Sequence, residues 1–96
     1  MVMLNLHLKI NDMTYETKFA DGSEITSYLA TGYAEGFEEA SDIDKLKAWS
    51  YLIGTGLAYQ LQGFFGRQAA HMIDSGFIDS NGIVDWDSVN ELLDNY

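Results

Sequence analysis

At 96 residues the chain has the mass for one domain, spanning 1–96, and too little for a second core. A hydrophobic fraction of 47% and an aromatic fraction of 14% predict a packed core and exclude a disordered chain, despite a formal net charge of −10. The absence of cysteine excludes disulfides, thiolate-bound zinc and thiol catalysis, and it fits a cytoplasmic setting.

The charge is unevenly distributed. Residues 1–20 balance Asp12 and Glu16 against Lys9 and Lys18. Residues 21–44 carry seven acids and no Lys or Arg, and residues 68–96 carry six more, again with no Lys or Arg. Such tracts repel phosphate backbones and anionic lipid, so neither nucleic acid nor membrane is an expected partner. A basic protein surface is attracted to them. Residues 1–10 show no basic n-region and no cleavage site, which predicts no secretory leader, and no apolar run reaches a bilayer-spanning length.

In chain order, residues 4–10 alternate, with Leu4, Leu6, Leu8 and Ile10 on one side. Residues 13–19 alternate again through Met13, Tyr15, Thr17 and Phe19, and Asn11-Asp12 between them suits a two-residue turn. This pattern predicts an N-terminal two-stranded antiparallel hairpin with all eight residues on one face. Asp21 or Ser23 then offers a cap for a helix whose stripe is Ile25, Tyr28, Leu29, Gly32, Tyr33, Gly36 and Phe37. Ser41-Asp42-Ile43-Asp44 resembles a capping box opening a second helix. Its face reads Leu46, Trp49, Ser50, Ile53, Leu57 and Leu61, with Gly63 as its stop. A short third helix covers 65–74, with Phe65, Ala69, Met72 and Ile73 inward. Phe77-Ile78 and Ile83-Val84 flank the turn residues Asp79-Ser80-Asn81-Gly82 and allow a short second hairpin at 77–84. Asp85 caps a last helix carrying Trp86, Val89, Leu92 and Leu93. The expected fold class is therefore α+β, the hairpin packed on about four α-helices.

Catalytic constellations are not evident, and no enzyme activity, cofactor or metal is expected. His7 and His71 are the only histidines, and no His-x3-His or His-Glu-x-x-His spacing occurs. Aligning Gly82 with the glycine of a calcium loop puts Asp79, Asn81 and Asp85 at ligand positions. Phe77 and Ser88 then fall where the first Asp and the bidentate Glu belong, so a capped turn accounts for these residues better. The stretch from Trp49 to Ile73 outlines a helix-turn-helix whose reading helix would present Arg67, Gln68 and His71, but one Arg cannot supply the phosphate contacts a DNA reader needs. Adjacent Phe64 and Phe65 cannot both face one core from a helix, so Phe64 is a candidate for a partner or dimer surface.

The central third of the chain runs Trp49, Thr55-Gly56-Leu57-Ala58, Leu61-Gln62-Gly63, Phe65-Gly66-Arg67, then an apolar helix through Ile73 to Gly76. This pattern resembles a motif of small tailed-phage proteins of uncharacterised function. The resemblance implies a phage or prophage origin and a place in the cytoplasm of the infected bacterial host. Trp49, Gly56, Gly63, Phe65, Gly66 and Arg67 are its structural residues. Arg67 is expected to donate to carbonyls ending the preceding helix or to pair with a carboxylate.

Small size, the acid-only tracts and the phage-like motif together lead to one expectation. The protein is a non-enzymatic binder that modulates a host protein with a basic surface, as a DNA mimic or anti-defence inhibitor. Glu35, Glu38, Glu39, Asp42 and Asp44, around one helix junction, are the candidate contact residues, with Phe64 beside them. The alternatives are a homo-oligomeric accessory protein, such as a homodimer, and the less favoured helix-turn-helix DNA binder.

Overall fold

The computed structural model describes residues 14–36 and 39–94. Within them the chain forms four α-helices: α1 (Ser27–Glu35), α2 (Asp42–Gly54), α3 (Gly63–Asp74) and α4 (Trp86–Asp94), with a 3-10 turn at Leu57–Tyr59. No strand occurs among the described residues. The only β pairing there consists of two isolated antiparallel bridges, Lys18 with Glu24 and Ile78 with Val84. The fold is helical, and the α+β expectation is corrected.

The first arm of the expected N-terminal hairpin, 4–10, lies outside the described residues, but its second arm does not form a strand. Instead the chain reverses immediately after it. The Phe19 amide donates to the Ser23 carbonyl at 2.9 Å, and the Gly22 amide returns to the Phe19 carbonyl at 2.9 Å. Asp21 closes the turn by accepting from the Ser23 amide and hydroxyl. The alternation of Tyr15 and Phe19 has a different cause from sheet formation. Phe19 is buried and its ring lies 4.8 Å from that of Tyr33 on α1, while Tyr15 meets Tyr51 on α2 edge-to-face at 6.1 Å. The segment 14–19 is an irregular arm laid across two helices.

The expected second hairpin shrinks in the same way. The Asp79 amide bonds the Ile83 carbonyl and the Asp85 amide bonds the Phe77 carbonyl, which leaves a tight loop on a single bridge. Asp79 Oδ1 accepts from the amides of both Asn81 and Ile83. This side-chain acceptor holds the turn without a strand on either side.

Helix ends follow from capping chemistry. Thr26, not Asp21 or Ser23, caps α1, its Oγ1 accepting from the Leu29 amide; Gly36 ends the helix in the left-handed region at φ 82°. Ser41 caps α2 through the Asp44 amide. That helix stops at Gly54 rather than running on to Leu61, because Gly56 takes φ 82° and breaks the α-helical path. Gly63 then opens α3 instead of closing the helix before it.

The core is continuous through all of these elements: Phe19, Ile25, Ala30, Leu46, Trp49, Leu52, Ile53, Phe65, Ala69, Ile78, Val84 and Val89 are buried. Leu52 is fully enclosed, and burying one such side chain contributes roughly 1.5–3 kcal/mol. The most extensive helix contact is between α1 and α2, while α3 reaches α2 partly through the 3-10 turn.

Candidate functional site

At the centre of the molecule Ser50 joins three segments. It is buried on α2; its Oγ accepts from the Glu16 amide at 2.8 Å and donates to the Gly82 carbonyl at 2.5 Å. Both capacities of the hydroxyl are used, so the arm and the 77–85 loop are anchored at one helical position. Close backbone approach makes this possible. A Cβ on Gly82 would fall 2.5 Å from both the Ser50 carbonyl oxygen and the Gly54 nitrogen, and the Tyr15 ring fills the space a Cβ on Gly54 would need. Lys47, one turn before Ser50, adds an ion pair to Glu16 at 3.1 Å and lies 5.4 Å from the centre of the Trp86 ring. Ser50 was expected on the inward face of α2 but without a partner, and Lys47 was not expected to have a role. Their signal was a polar residue inside an apolar helix stripe and a cation in an acid-rich chain.

The described candidate acids border different surface depressions or serve the fold. Glu35 ends α1 and borders an apolar groove with Tyr28, Thr31, Gly32 and Leu57. Glu39 lies on a separate shallow depression shared with Ser41 and Lys45, so a cation stands within the acidic junction. Asp42 borders a third groove, against Ile43, Leu46 and Leu93. Asp44 is half-buried, its Oδ1 accepting from the Ala20 amide at 2.8 Å. That hydrogen bond ties the 19–24 turn to the start of α2 and makes Asp44 structural. Glu38 lies outside the described residues.

The motif residues take mainly structural places. Trp49 is buried against Phe65, the ring centres 6.1 Å apart, and Phe65 meets Phe64 edge-to-face at 5.2 Å. Phe64 itself is 42% exposed on the outer side of that pair. Gly66 has open space around it, so no close approach requires it to be glycine. Arg67 is exposed; its Nη1 would lie 2.9 Å from a Cβ on Gly63, and it forms no ion pair among the described residues. Among the described residues Arg67 makes neither of the expected bonds, to carbonyls or to a carboxylate, and its guanidinium folds back over the start of its own helix.

Other polar side chains serve turns and caps. The Ser23 hydroxyl, followed by the Ser23 amide, lowers the Asp21 pKa from the usual carboxylate value. The Ser88 hydroxyl and then its amide do the same for Asp85, which caps α4. Asp79 closes its own loop, the turn role expected for it. Among the described residues no group of three or more His, Asp or Glu is placed to hold a metal ion. His71 is exposed in the last turn of α3, and His7 lies outside the described residues. Residues 55–62 separate α2 from α3, a longer connection than the roughly three- to four-residue turn of a helix-turn-helix.

Several large apolar side chains are exposed, Tyr28 at 81% and Tyr59 at 56% the most so. Leu92 and Leu93 on α4 are 44% and 45% exposed and line the groove that Asp42 borders, over a floor that includes Trp49, Met72 and Phe77. No helix among the described residues is long and apolar enough to cross a membrane. The fold and its surface thus define a small helical domain with an acid-rich exterior and open apolar grooves. The family model described as a domain of unknown function (DUF7417) matches residues 33–93, and the chain belongs to that family. No curated protein and no solved structure matches the chain.

Proposed function

We propose that this chain is a non-enzymatic phage protein that acts in the cytoplasm of its bacterial host by binding and modulating a host protein with a basic surface. The observation that carries this reading is the distribution of exposed charge. Among the described residues eleven exposed carboxylates (Asp21, Glu24, Glu35, Glu39, Asp42, Asp74, Asp79, Asp85, Asp87, Glu91 and Asp94) face three exposed cations, Lys18, Lys45 and Arg67. The fourth described cation, Lys47, is held by Glu16 and Trp86. A field of this sign attracts a basic groove and raises its encounter rate, which is the physical basis of DNA mimicry or anti-defence inhibition. The phage assignment rests on the sequence motif, whose residues fall inside the segment the family model covers.

The test is capture of host proteins on immobilised wild-type chain and on the triple reversal E35K/E39K/D42K, at low and moderate salt. Retention of a basic protein by the wild type, weakened by salt and by the reversal, is the expected result. Equal retention by both chains, or no retained protein at either salt, refutes the proposal. Exposure of Phe64, Tyr28 and Tyr59 supports a second reading, a homo-oligomeric accessory protein. A monomeric mass in solution at working concentration removes it.

A further inference from the structure

We infer that the Asn81–Gly82 step is a deamidation site held shut by the Ser50 anchor, so that Asn81 is modified only when the 77–85 loop opens. Asparagine followed by glycine is open to this chemistry for two reasons. The side-chain amide carbon lies a single methylene from the main chain, and no Cβ on the next residue hinders its nitrogen. In the reaction the Gly82 nitrogen gives up its proton and bonds to Asn81 Cγ. The bond from Cγ to the side-chain nitrogen breaks, and ammonia leaves with that proton. Water then opens the cyclic imide at either carbonyl, giving aspartate or isoaspartate. No oxidant, reductant or cofactor enters, and a neutral amide has become a carboxylate.

The fold supplies half of what the reaction needs and withholds the rest. Asn81 is exposed, so water reaches its Cγ and ammonia can leave. Gly82 is buried and held at its nitrogen, its carbonyl and its Cα. Its amide donates to the Asp79 carbonyl at 2.9 Å, and its carbonyl accepts the Ser50 hydroxyl at 2.5 Å. A Cβ there would stand 2.5 Å from the Ser50 carbonyl oxygen and the Gly54 nitrogen, so its Cα rests directly on the backbone of α2. Asp79 Oδ1 grips both neighbours, accepting from the Asn81 amide at 2.8 Å and the Ile83 amide at 3.0 Å. Ring closure must turn the peptide plane between Asn81 and Gly82 to bring the nitrogen onto Cγ. That rotation breaks the bonds to Asp79 and Ser50 together, so the rate follows the open fraction of the loop. The change is one-way. Isoaspartate adds a carbon to the main chain between the groups that Asp79 and Ser50 hold, and the loop cannot reseat on α2.

Full-length chains are incubated at mildly alkaline pH, native and in denaturing urea, and modification of Asn81 is followed by mass-spectrometric peptide mapping. In the native wild type Asn81 should react at least about tenfold more slowly than in the unfolded chain, and S50A should speed the native reaction at least about fivefold. Gly36→Ala, which lowers stability away from the loop, should leave the rate within about twofold of wild type. Equal rates in native and unfolded wild type overturn the inference. So does S50A reacting at the wild-type rate, or Gly36→Ala accelerating as much as S50A, which would assign the reaction to global unfolding. Asp79→Ala loosens the loop from its exposed side and serves where S50A fails to fold; a wild-type rate in it overturns the inference equally.

Discussion

Replacing Ser50 with Ala removes one oxygen from a fully buried site and leaves two main-chain groups without partners. The Gly82 carbonyl belongs to a buried residue and accepts the Ser50 hydroxyl at 2.5 Å. An unsatisfied buried acceptor costs about 1–3 kcal/mol. The Glu16 amide, which donates to the same oxygen at 2.8 Å, sits in a half-buried residue that water can partly reach, so its share is smaller, about 0.5–1.5 kcal/mol. Together the loss is about 2–4 kcal/mol, a large fraction of the roughly 5–14 kcal/mol expected for a domain of this length. In urea, where a small domain has a slope near 1–2 kcal/mol per M, the midpoint should fall by about 1–4 M. Hydrogen exchange supplies the second readout: the Glu16 amide and the 77–85 loop should lose protection while α3 keeps its own. An S50A midpoint within about 0.3 M of wild type would refute the three-way anchor, because that shift corresponds to less than one buried hydrogen bond.

Further expectations follow from the same neighbourhood and from the caps. Gly82→Ala combines φ 83° with a Cβ 2.5 Å from backbone atoms and should abolish cooperative thermal unfolding. Gly36→Ala, at φ 82° with open space, should cost only about 1–2 kcal/mol. Lys47→Met breaks the Glu16 pair and the contact with Trp86; it should alter tryptophan emission and lower stability by about 1 kcal/mol or less, less still in high salt. Asp85 has a folded pKa below its unfolded value of 3.8, so its contribution is present above 3.8 and is lost as pH falls through the folded value. Carboxyl NMR titration of Ser88→Ala should therefore show the Asp85 midpoint moving up towards 3.8, and an unmoved midpoint would contradict the cap.

The helical stripes were legible in part: the stripe expected for the first helix fails, with Tyr28 81% exposed and Ala30, off that stripe, buried, while the later helices follow the 3.6-residue period. Trp49, Ile53, Phe65, Ala69 and Val89 are core residues as that period requires. Helix limits were less legible. Gly54, Gly56 and Gly63 look alike in sequence, yet Gly56 breaks the helix in the left-handed region, Gly54 makes room for the Tyr15 ring and Gly63 starts α3. Each role is set by what approaches from elsewhere in the chain. The alternation at 13–19 misled for a related reason. A period of two states only that alternate side chains differ in environment, and an irregular arm docking Tyr15 and Phe19 on helices satisfies it as well as a strand does. The acidic cluster was visible as composition, but its partition among three depressions and one internal hydrogen bond depends on tertiary placement.

The family-matched segment begins at residue 33, inside α1, so the match leaves out most of that helix and the whole arm before it. The structure argues that the folding unit is longer. Within the matched segment, Ser50 has its hydroxyl filled by the Glu16 amide, Gly54 has its bare face filled by Tyr15, and Lys47 has its charge met by Glu16. Buried Phe19 and Ile25 also come from outside the match, and Asp44 within it accepts the Ala20 amide. Residues 14–32 therefore complete contacts that the matched segment cannot satisfy alone, and the unit that folds includes them. Any surface this chain offers to a partner depends on that arm: it anchors α2 along the helix that also forms the floor of the Leu92/Leu93 groove.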